Sequence, residues 1–455
     1  MGVAMARSLT IDEAAWTERK RSLSEASGGT AAIPHVVAWN LTKRCNLACD
    51  HCYISAGPWQ PTEGELTLDE IKRITDEILE INPGPMFVLT GGEPLLRTDL
   101  EDIADYASSR GATVVVGTNG TGLTYSRIRS LKDAGVTGVA VSVDSLHAER
   151  HNTFRHGQSA LQMTQAAIER LRDARLDFIV QTSVTAQNRD EIANLVRWSA
   201  DRGAVSFNLY FLVETGRGKE LKELSPEENE SILKELVGLE QEMRGRMLVR
   251  SKCQPALMRV VHEAAPDSPL TNYSTRCPCG VQYCRITPDG KLTPCPYLPE
   301  VAGDLRTQSF RDVWDNSALF QSIRTRSFNG KCGSCEYRNV CGGCRARAAA
   351  NTGDVMGSDD SCVYIPDGTV EPIQSKDTTY GAPVKAELSW SPDATARMQR
   401  IPSFVRGVVI KRTEEYAKQN GHAEITLALL DEIRKGLPID FSKKRPFFMR
   451  SGDSD

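Results

Sequence analysis

The chain has 455 residues, 40% of them hydrophobic and 25% charged, a balance typical of folded globular domains and not of a disordered polymer. Its net charge of −4, from 55 basic and 59 acidic residues, excludes the strongly basic surface of a general nucleic-acid binder. No apolar stretch approaches the ~20 residues that span a bilayer, and the N-terminus lacks the apolar core of a signal peptide. We therefore expect a cytoplasmic protein with no membrane span and no nucleic-acid partner.

The first part of the chain predicts an α/β fold. Residues 1–34 are polar and are expected to form a flexible leader. Short apolar runs then alternate with amphipathic patterns, and the strands are predicted at 35–41, 86–90, 113–117, 138–143, 178–184 and 205–212. The intervening helices are predicted at 68–81, 99–109, 125–134, 160–174 and 191–202. Because six units fall short of the eight that close a barrel, we expect an open, partial (β/α)6 TIM-like barrel over residues 35–250.

The rest of the chain changes character. Residues 226–250 are predicted to be a charged helix, because a serine cap and first-turn acids open the segment. Residues 251–365 are rich in Gly, Pro and Cys, and bound metal is expected to supply the stability that their short apolar runs do not. Residues 366–386 have the composition of a linker. Residues 387–450 predict a small helical domain.

The thirteen cysteines are unevenly distributed. None lies between Cys52 and Cys253, a stretch that a disulfide framework would be expected to cross. Three cysteines lie within eight residues, and nine lie between Cys277 and Cys362. With no export signal and an odd total, this distribution predicts metal ligation instead of complete disulfide pairing.

Cys45, Cys49 and Cys52 directly follow the first predicted strand, and their spacing lets three thiolates converge from one loop. Structural zinc sites use four protein ligands, and His51 is the obvious further candidate nearby. On a four-iron, four-sulfur cluster, three thiolates leave one iron with an open position. The triplet therefore predicts such a cluster, with a zinc site as the plainer alternative.

Further polar groups follow the ends of other predicted strands. Gly91-Gly92-Glu93-Pro94 ends the second strand, and Ser142 and Asp144 end the fourth, with Arg155 shortly beyond. A glutamate suits an ammonium group, hydroxyls and a carboxylate suit a ribose, and a guanidinium suits a carboxylate. Each motif alone also fits a turn, a capped helix or a surface arginine. Together they lie at the face where barrel enzymes build their sites.

With these motifs, residues 35–245 resemble the radical S-adenosylmethionine (SAM) superfamily. The resemblance implies that Cys45, Cys49 and Cys52 bind a [4Fe-4S] cluster whose open iron chelates SAM. Reductive cleavage of SAM would then yield a 5′-deoxyadenosyl radical that abstracts hydrogen from a substrate, in an oxidoreductase- or lyase-type enzyme. This chemistry implies a low-potential electron donor, a ferredoxin or flavodoxin.

The same resemblance implies roles for the residues around SAM. Gly91, Gly92 and Glu93 would hold its amino group, and Arg155 would lie near its carboxylate. Ser142 and Asp144 would lie by the ribose, and His51 would lie against the adenine. Thr118-Asn119-Gly120 suits the family, and Gly216-Arg217-Gly218 resembles the loop beside the adenosine.

The second cysteine region resembles the SPASM extension of radical SAM enzymes, which binds one or two auxiliary [4Fe-4S] clusters; a zinc ribbon is the alternative. Two clusters need eight thiolates, and nine cysteines are present, so one is surplus. We expect Cys279 to be the surplus one and Cys253 to be a buried thiol. The expected ligands are Cys277, Cys284, Cys295, Cys332, Cys335, Cys341, Cys344 and Cys362.

Two resemblances bear on the substrate. The segments around Cys45, Cys284 and Cys341 resemble radical SAM enzymes of the haem pathways that start from sirohaem, and residues 390–434 resemble the small C-terminal domain of light-independent protochlorophyllide reductase. Both imply a tetrapyrrole substrate, whose carboxylates would suit the basic residues Arg400, Arg406, Lys411 and Arg412. A maturase of a ribosomally made peptide is the alternative enzyme. A non-catalytic iron–sulfur electron carrier is the alternative of another class.

Overall fold

The computed structural model describes residues 32–272, 276–374, 386–399, 401 and 403–436. The predicted leader lies outside the described residues except for its last three positions, and most of the predicted linker lies outside them as well. The basic residue Arg400 and the end of the C-terminal domain beyond Gly436 also lie outside them.

A central sheet of ten strands organises the described part of the chain. Its order is β10-β9-β8-β1-β2-β3-β4-β5-β6-β7, so β10 and β7 are the two edges and the barrel is open, as predicted. Strands β1 to β8 run parallel, and β9 and β10 are antiparallel additions. The strands are β1 (Val36–Asn40), β2 (Met86–Thr90), β3 (Thr113–Thr118), β4 (Val136–Ser142), β5 (Asp177–Val184), β6 (Ser206–Phe211), β7 (Leu248–Lys252), β8 (Tyr283–Ile286), β9 (Lys291–Thr293) and β10 (Gly303–Asp304).

Amphipathic helices cover one face of this sheet. In the first helix, Ile71, Ile74 and Ile78 are buried at helical spacing, and a capping box of Thr67 and Glu70 begins it. The barrel helices are α1 (Leu68–Ile81), α2 (Leu100–Ser109), α3 (Tyr125–Asp133), α4 (Ala148–Arg155), α5 (Ala160–Asp173), α6 (Ile192–Asp201) and α7 (Pro226–Met243). The helices of the cysteine-rich region are α8 (Leu257–Ala264), α9 (Phe310–Asn316), α10 (Ala318–Thr325), α11 (Gly330–Ser334) and α12 (Arg345–Thr352).

Each parallel strand has an outer face that packs on the helices and an inner face that does not. On β6, Phe207 and Leu209 enter the main hydrophobic core, whereas Asn208 and Tyr210 alternate with them. On β1, Val37 and Trp39 enter the core, whereas Asn40 belongs to the inner face. Because side chains alternate along a strand, the inner face collects polar and small residues at the carboxyl ends of the strands.

The α/β class and the open barrel are confirmed, and the structure adds two parallel strands that were not predicted. The predicted helix over 226–250 ends at Met243, and β7 then pairs with β6. Strand β8 pairs with β1, which brings Tyr283 beside Val36. The cysteine-rich region therefore extends the barrel sheet directly, and its Trp314 lies in the same core as Trp39.

The C-terminal residues form a small unit with its own core. Two short strands, β11 (Ser389–Trp390) and β12 (Glu424–Ile425), pair in parallel beside three helices. Ala394, Ala417 and Leu429 form the core with Ile425. The indole Nε1 of Trp390 donates to Oε1 of Glu414 at 2.8 Å. The helices are α13 (Pro392–Gln399), α14 (Ser403–Gln419) and α15 (Leu427–Gly436), in agreement with the predicted small helical domain.

Candidate active site

The three cysteines of the first triplet lie together in the loop that follows β1. Cys45 is buried in a small cluster with Leu47 and Ala160, and Cys49 and Cys52 pack against the same cluster. Backbone amides point at two of the sulfurs, since the amide of Leu47 lies 3.4 Å from Cys45 Sγ and that of Ala56 lies 3.3 Å from Cys52 Sγ. Such donors stabilise thiolates that bind iron.

Two charged or polar side chains from other elements also reach these sulfurs. Asn119 Nδ2, after β3, lies 3.8 Å from Cys45 Sγ, and Arg155 Nη1, on α4, lies 3.9 Å from Cys49 Sγ. Burial raises the pKa of Cys45 to about 12 and that of Cys49 to about 11. Thiolates are therefore costly in this loop unless a bound cation compensates their charge.

The arrangement fits an iron–sulfur cluster better than one ion. No group of three or more His, Cys, Asp or Glu side chains in the described ranges is arranged to hold a single metal ion. Three sulfurs held by one loop, each with a donor beside it, suit a larger cluster with an open position.

Gly91 and Gly92 hold the end of β2 against the cysteine loop. Gly91 has a φ of +134°, and a Cβ there would lie 2.5 Å from the carbonyl oxygen of Thr42. A Cβ at Gly92 would collide with the carbonyl oxygen of Arg44. The Gly92 amide donates to the carbonyl oxygen of Thr42 at 2.7 Å, and the Glu93 amide donates to the carbonyl oxygen of Arg44 at 2.9 Å. Both glycines are thus needed for a backbone contact within the chain.

Glu93 carries a buried carboxylate at the end of this motif. Its side chain accepts from the Thr118 hydroxyl at 2.7 Å, the Asn119 amide at 2.9 Å and the Leu95 amide at 3.1 Å. Burial nevertheless raises the pKa of Glu93, although these donors oppose the rise. Glu93 is one of the residues that line a cavity of about 480 Å³, together with Asn46. A cationic group in this position would compensate the buried charge.

Asp144 and Arg155 form a buried ion pair at the ends of β4 and α4. Asp144 Oδ2 accepts from Arg155 Nε at 2.8 Å and from Nη2 at 2.6 Å, and Oδ1 accepts from the Ser183 amide at 2.8 Å. Burial alone would raise the pKa of Asp144, but the charge of Arg155 holds it below its ordinary value. The structure thus brings together two residues that were predicted to act separately, and Ser142 ends the same strand.

His51 lies in the cysteine loop, with its ring parallel to that of Phe154. The ring centroids are 4.7 Å apart and the planes differ by 4°. Burial lowers the pKa of His51 to about 4, so the ring is neutral at pH 7. Its Nδ1 is buried and has no hydrogen-bond partner among the described residues. An unsatisfied atom in a neutral ring beside the cysteines suits contact with a bound heterocycle.

The loop after β6 closes the other side of the cysteine loop. Gly216 has a φ of +56°, and a Cβ there would lie 2.5 Å from the carbonyl oxygen of Tyr53. The backbone amide of Arg217 donates to the carbonyl oxygen of Cys52 at 3.1 Å, and the side-chain Nε of Arg217 donates to the carbonyl oxygen of Cys49 at 2.9 Å. Sequence motifs indicated this loop, but its direct contact with the cysteine loop could not be read from them.

Five cysteines of the second region and its margin lie together. Cys279 packs in one cluster with Cys277, Cys295 and Cys344. The neighbouring Cys277 and Cys295 raise the pKa of the Cys279 thiol. Cys253, at the end of β7, packs against that cluster. The sequence had suggested Cys279 as the surplus cysteine and Cys253 as a separate buried thiol, whereas the structure puts both beside predicted ligands.

Four other cysteines line one pocket, and Asp359 joins them to the first group. The pocket is lined by Cys332, Cys335, Cys341 and Cys362. The Asp359 amide donates to Cys332 Sγ at 3.3 Å, while its carboxylate accepts from the Cys344 amide at 2.7 Å. The two groups of cysteines are therefore held by one hydrogen-bonded unit.

Cys284 does not lie with either group. It is fully buried on β8 in the main hydrophobic core, apart from the cysteines with which it was predicted to bind a cluster. Its neighbour Tyr283 points to the opposite face and packs against the cluster that contains Cys279 and Cys295. The alternation of side chains along β8 explains this separation.

Family models agree with this geometry. The model of the radical SAM superfamily matches residues 39–199, and that of an iron-sulfur cluster-binding domain, SPASM, matches residues 277–344. A third model, described as the proto-chlorophyllide reductase 57 kD subunit, matches residues 390–434. The chain belongs to the radical SAM superfamily and carries its SPASM extension. It is an enzyme whose cofactors are [4Fe-4S] clusters and SAM, which excludes the electron-carrier alternative.

Individual relatives cover most of the chain. An AdoMet-dependent heme synthase of Methanosarcina barkeri is 39% identical over 73% of this chain and 97% of its own length. A mycofactocin maturase of Mycolicibacterium smegmatis is 29% identical over 79% of this chain and 93% of its own. The crystal structure of Streptococcus suis SuiB bound to S-adenosylmethionine shares the fold, with a TM-score of 0.61 at 14% identity over 79% of this chain and 84% of that one.

A further property of the fold is the length and hydropathy of its helices. Among the described helices, none is both long enough and apolar enough to cross a bilayer.

Proposed function

We propose that this enzyme acts on a tetrapyrrole with carboxylate side chains, in the biosynthesis of a haem-type cofactor. The observation that carries the proposal is the 39% identity to an AdoMet-dependent heme synthase across 97% of that relative. The C-terminal match to a protochlorophyllide reductase subunit supports it independently, because that family also handles a macrocycle. Hydrogen abstraction from a substrate side chain is the chemistry that bound SAM supplies.

The chain's own residues would bind and orient SAM. Glu93 is proposed to accept the ammonium group, since its buried carboxylate has hydrogen-bond donors beside it and lacks a cation in contact among the described residues. Arg155, held by Asp144, would present its remaining donors toward the carboxylate of SAM. Ser142 lies at the end of β4 beside this pair and would contact the ribose. His51 and Phe154 would lie against the adenine.

We propose two auxiliary clusters with four ligands each. Cys332, Cys335, Cys341 and Cys362 line one pocket and form one set. Cys277, Cys279, Cys295 and Cys344 form the other, because they pack in one cluster and lie within the segment that matches SPASM, whereas Cys253, which packs against them, lies outside that segment. Cys284, in the core, is left out of both sets. This assignment replaces Cys284 by Cys279 in the list predicted from the sequence.

The electron donor and the compartment follow from the chemistry. Reduction of the cluster beside SAM needs a low-potential donor, for which a ferredoxin or flavodoxin is proposed. Iron-binding thiols must stay reduced, and all thirteen cysteines are unpaired in the structure. We therefore place the protein in the reducing cytoplasm.

The test is a binding and turnover screen under anaerobic conditions. The reconstituted enzyme is mixed with iron porphyrins that carry deuterated propionate side chains, and deuterium in 5′-deoxyadenosine is measured. Transfer from a porphyrin, abolished in Cys49→Ala, is expected. Saturable binding of precursor peptides with no porphyrin binding would contradict the proposal.

A peptide-modifying function is the second candidate. It is favoured by the 29% identity to a mycofactocin maturase over 93% of that relative. A parallel arm with a deuterated precursor peptide tests it, because deuterium in 5′-deoxyadenosine would then come from the peptide and not from the porphyrin.

A further inference from the structure

Two cations lie on the inner face at the open edge of the barrel. Arg250 and Lys252 alternate on β7 with Val249, which is buried in the main core. They therefore share the face opposite to the helices. Lys252 is the last residue of the strand and lies at the carboxyl end, where the cysteine loop and Glu93 also lie. Both side chains are half-buried.

Neither cation has a carboxylate partner. Within the described ranges, no acidic side chain forms an ion pair with Arg250 or Lys252. Some buried guanidiniums elsewhere in this chain do have such partners, as Arg155 pairs with Asp144 and Arg259 pairs with Glu230. Burying unpaired positive charge costs free energy, so an anion that arrives with the substrate is expected to compensate it.

A cluster of tyrosines adjoins one of the two cations, Lys252. Tyr210 on β6 is the register partner of Lys252, and its hydroxyl accepts from Gln181 Nε2 at 3.3 Å. Tyr53 follows the cysteine loop, and its ring centroid lies 5.2 Å from that of Tyr297. Aromatic faces with polar edges suit a flat, unsaturated ring system with charged arms.

The register connects the cations to the SAM-binding residues. Ser142 on β4 pairs with Gln181 on β5, which pairs with Asn208 on β6, which pairs with Arg250 on β7. With neighbouring strands about 4.8 Å apart, Arg250 is at most about 14 Å from Ser142 across the sheet. A large substrate can therefore contact the cations with one arm while another part of it lies beside SAM.

We propose that Arg250 and Lys252 form an anion-binding pair that positions the substrate by one of its carboxylate arms. This inference rests on the proposed function, because it assumes a substrate with carboxylate arms. The pair is distinct from Arg155, whose guanidinium is held by Asp144 at the end of β4. It consists of positioning residues, not of residues that take part in the reaction.

The test measures binding, not turnover. Dissociation constants of iron coproporphyrin, as free acid and as tetramethyl ester, are measured by Soret absorbance on the anaerobic holoenzyme. Lys252→Met and Arg250→Met are each expected to weaken free-acid binding by about 10-fold or more, and to leave ester binding as in the wild type. Lys252→Arg is expected to restore most of the affinity for the free acid.

Lys234→Met is the matched control, because Lys234 is an exposed lysine of α7, 61% accessible. Equal iron content in all variants shows that they retain their clusters. Free-acid binding that is unchanged in both methionine variants overturns the anion-binding pair alone. If the wild type binds neither the acid nor the ester, the proposed substrate class itself fails.

Discussion

Single residues of this site bury charge in two different ways. Asp144 has its own cation, because Arg155 donates twice to one carboxylate oxygen. Glu93 has three hydrogen-bond donors instead, and burial still raises its pKa. The charge of Asp144 is already compensated without a ligand, whereas a bound cation would stabilise the buried charge of Glu93. Glu93 is therefore the residue at which loss of charge should affect SAM binding most directly.

Glu93→Gln is expected to weaken SAM binding by roughly 10- to 100-fold, because it removes the charge that would meet the ammonium group. Affinity is measured by anaerobic equilibrium dialysis of the reconstituted enzyme. Glu63→Gln, in an exposed loop, serves as the control. Equal SAM affinity of Glu93→Gln and the wild type, at equal iron content, would contradict the assignment.

The second prediction at this scale concerns acid. Burial lowers the pKa of His151 to about 4, from an ordinary value of 6.5, and its Nδ1 accepts from the Asp144 amide at 3.2 Å. Between these values the unfolded chain binds the proton more strongly than the folded protein does. The neutral His151 ring contributes to the free energy of unfolding. This contribution is fully present above about pH 6.5 and is lost as the pH falls toward 4. At pH 5 the loss is about 2 kcal/mol.

His151→Gln is therefore expected to lose less stability than the wild type between pH 8 and pH 5. The measurement is the shift in the midpoint of thermal unfolding between the two pH values. His147→Gln is the control, because the side chain of His147 is 72% accessible. A shift in His151→Gln as large as that of the wild type would argue against this role of the buried ring.

At the scale of secondary structure elements, strand β8 separates Cys284 from the other cysteines of the second region. Side chains alternate along β8, so Cys284 is buried in the core and Tyr283 faces the cluster that contains Cys279 and Cys295. Cys279, before the strand, packs in one cluster with Cys277 and Cys295. Spacing along the chain could not reveal this, because it does not show that residues 283–286 pair with β1.

Cys279→Ser is accordingly expected to lower the iron content from about twelve to about eight atoms per chain, since one auxiliary cluster loses a ligand. Cys284→Ala is expected to keep about twelve, with lower thermal stability from the cavity it leaves in the core. Iron is measured by colorimetric assay after anaerobic reconstitution. The reverse result would restore the ligand set predicted from spacing alone.

Local patterns predicted the barrel and drew attention to the motifs that are proposed to bind SAM for a physical reason. Buried parallel strands are short apolar runs, and the cysteine triplet and Gly91-Gly92-Glu93-Pro94 occur directly at their ends. Strand β7 was missed because its inner face carries Arg250 and Lys252, so it reads as the polar end of a helix. The Asp144–Arg155 pair was missed because two residues eleven positions apart meet only through the fold.

At the scale of the whole molecule, the cysteine-rich region and the barrel share one core. Strand β8 pairs with β1, and Trp314 and Phe320 lie in the same hydrophobic cluster as Trp39. Removing the cysteine-rich region would expose an edge of β1 and part of this core. The C-terminal unit differs, because Ala394, Ala417, Ile425 and Leu429 form a separate core.

Two truncations test this difference. A chain that ends at Lys252 is expected to aggregate, because β1 loses β8, one of its two partner strands, and Trp39 loses its neighbours from the cysteine-rich region. A chain that ends at Gln374 is expected to stay in solution, with about twelve iron atoms per chain and unchanged cleavage of SAM to 5′-deoxyadenosine. The measurements are the soluble fraction after expression, the iron content and 5′-deoxyadenosine formation. Loss of iron in the longer truncation would show that the C-terminal unit supports the cluster sites, and a well-folded shorter one would show that the barrel does not depend on β8.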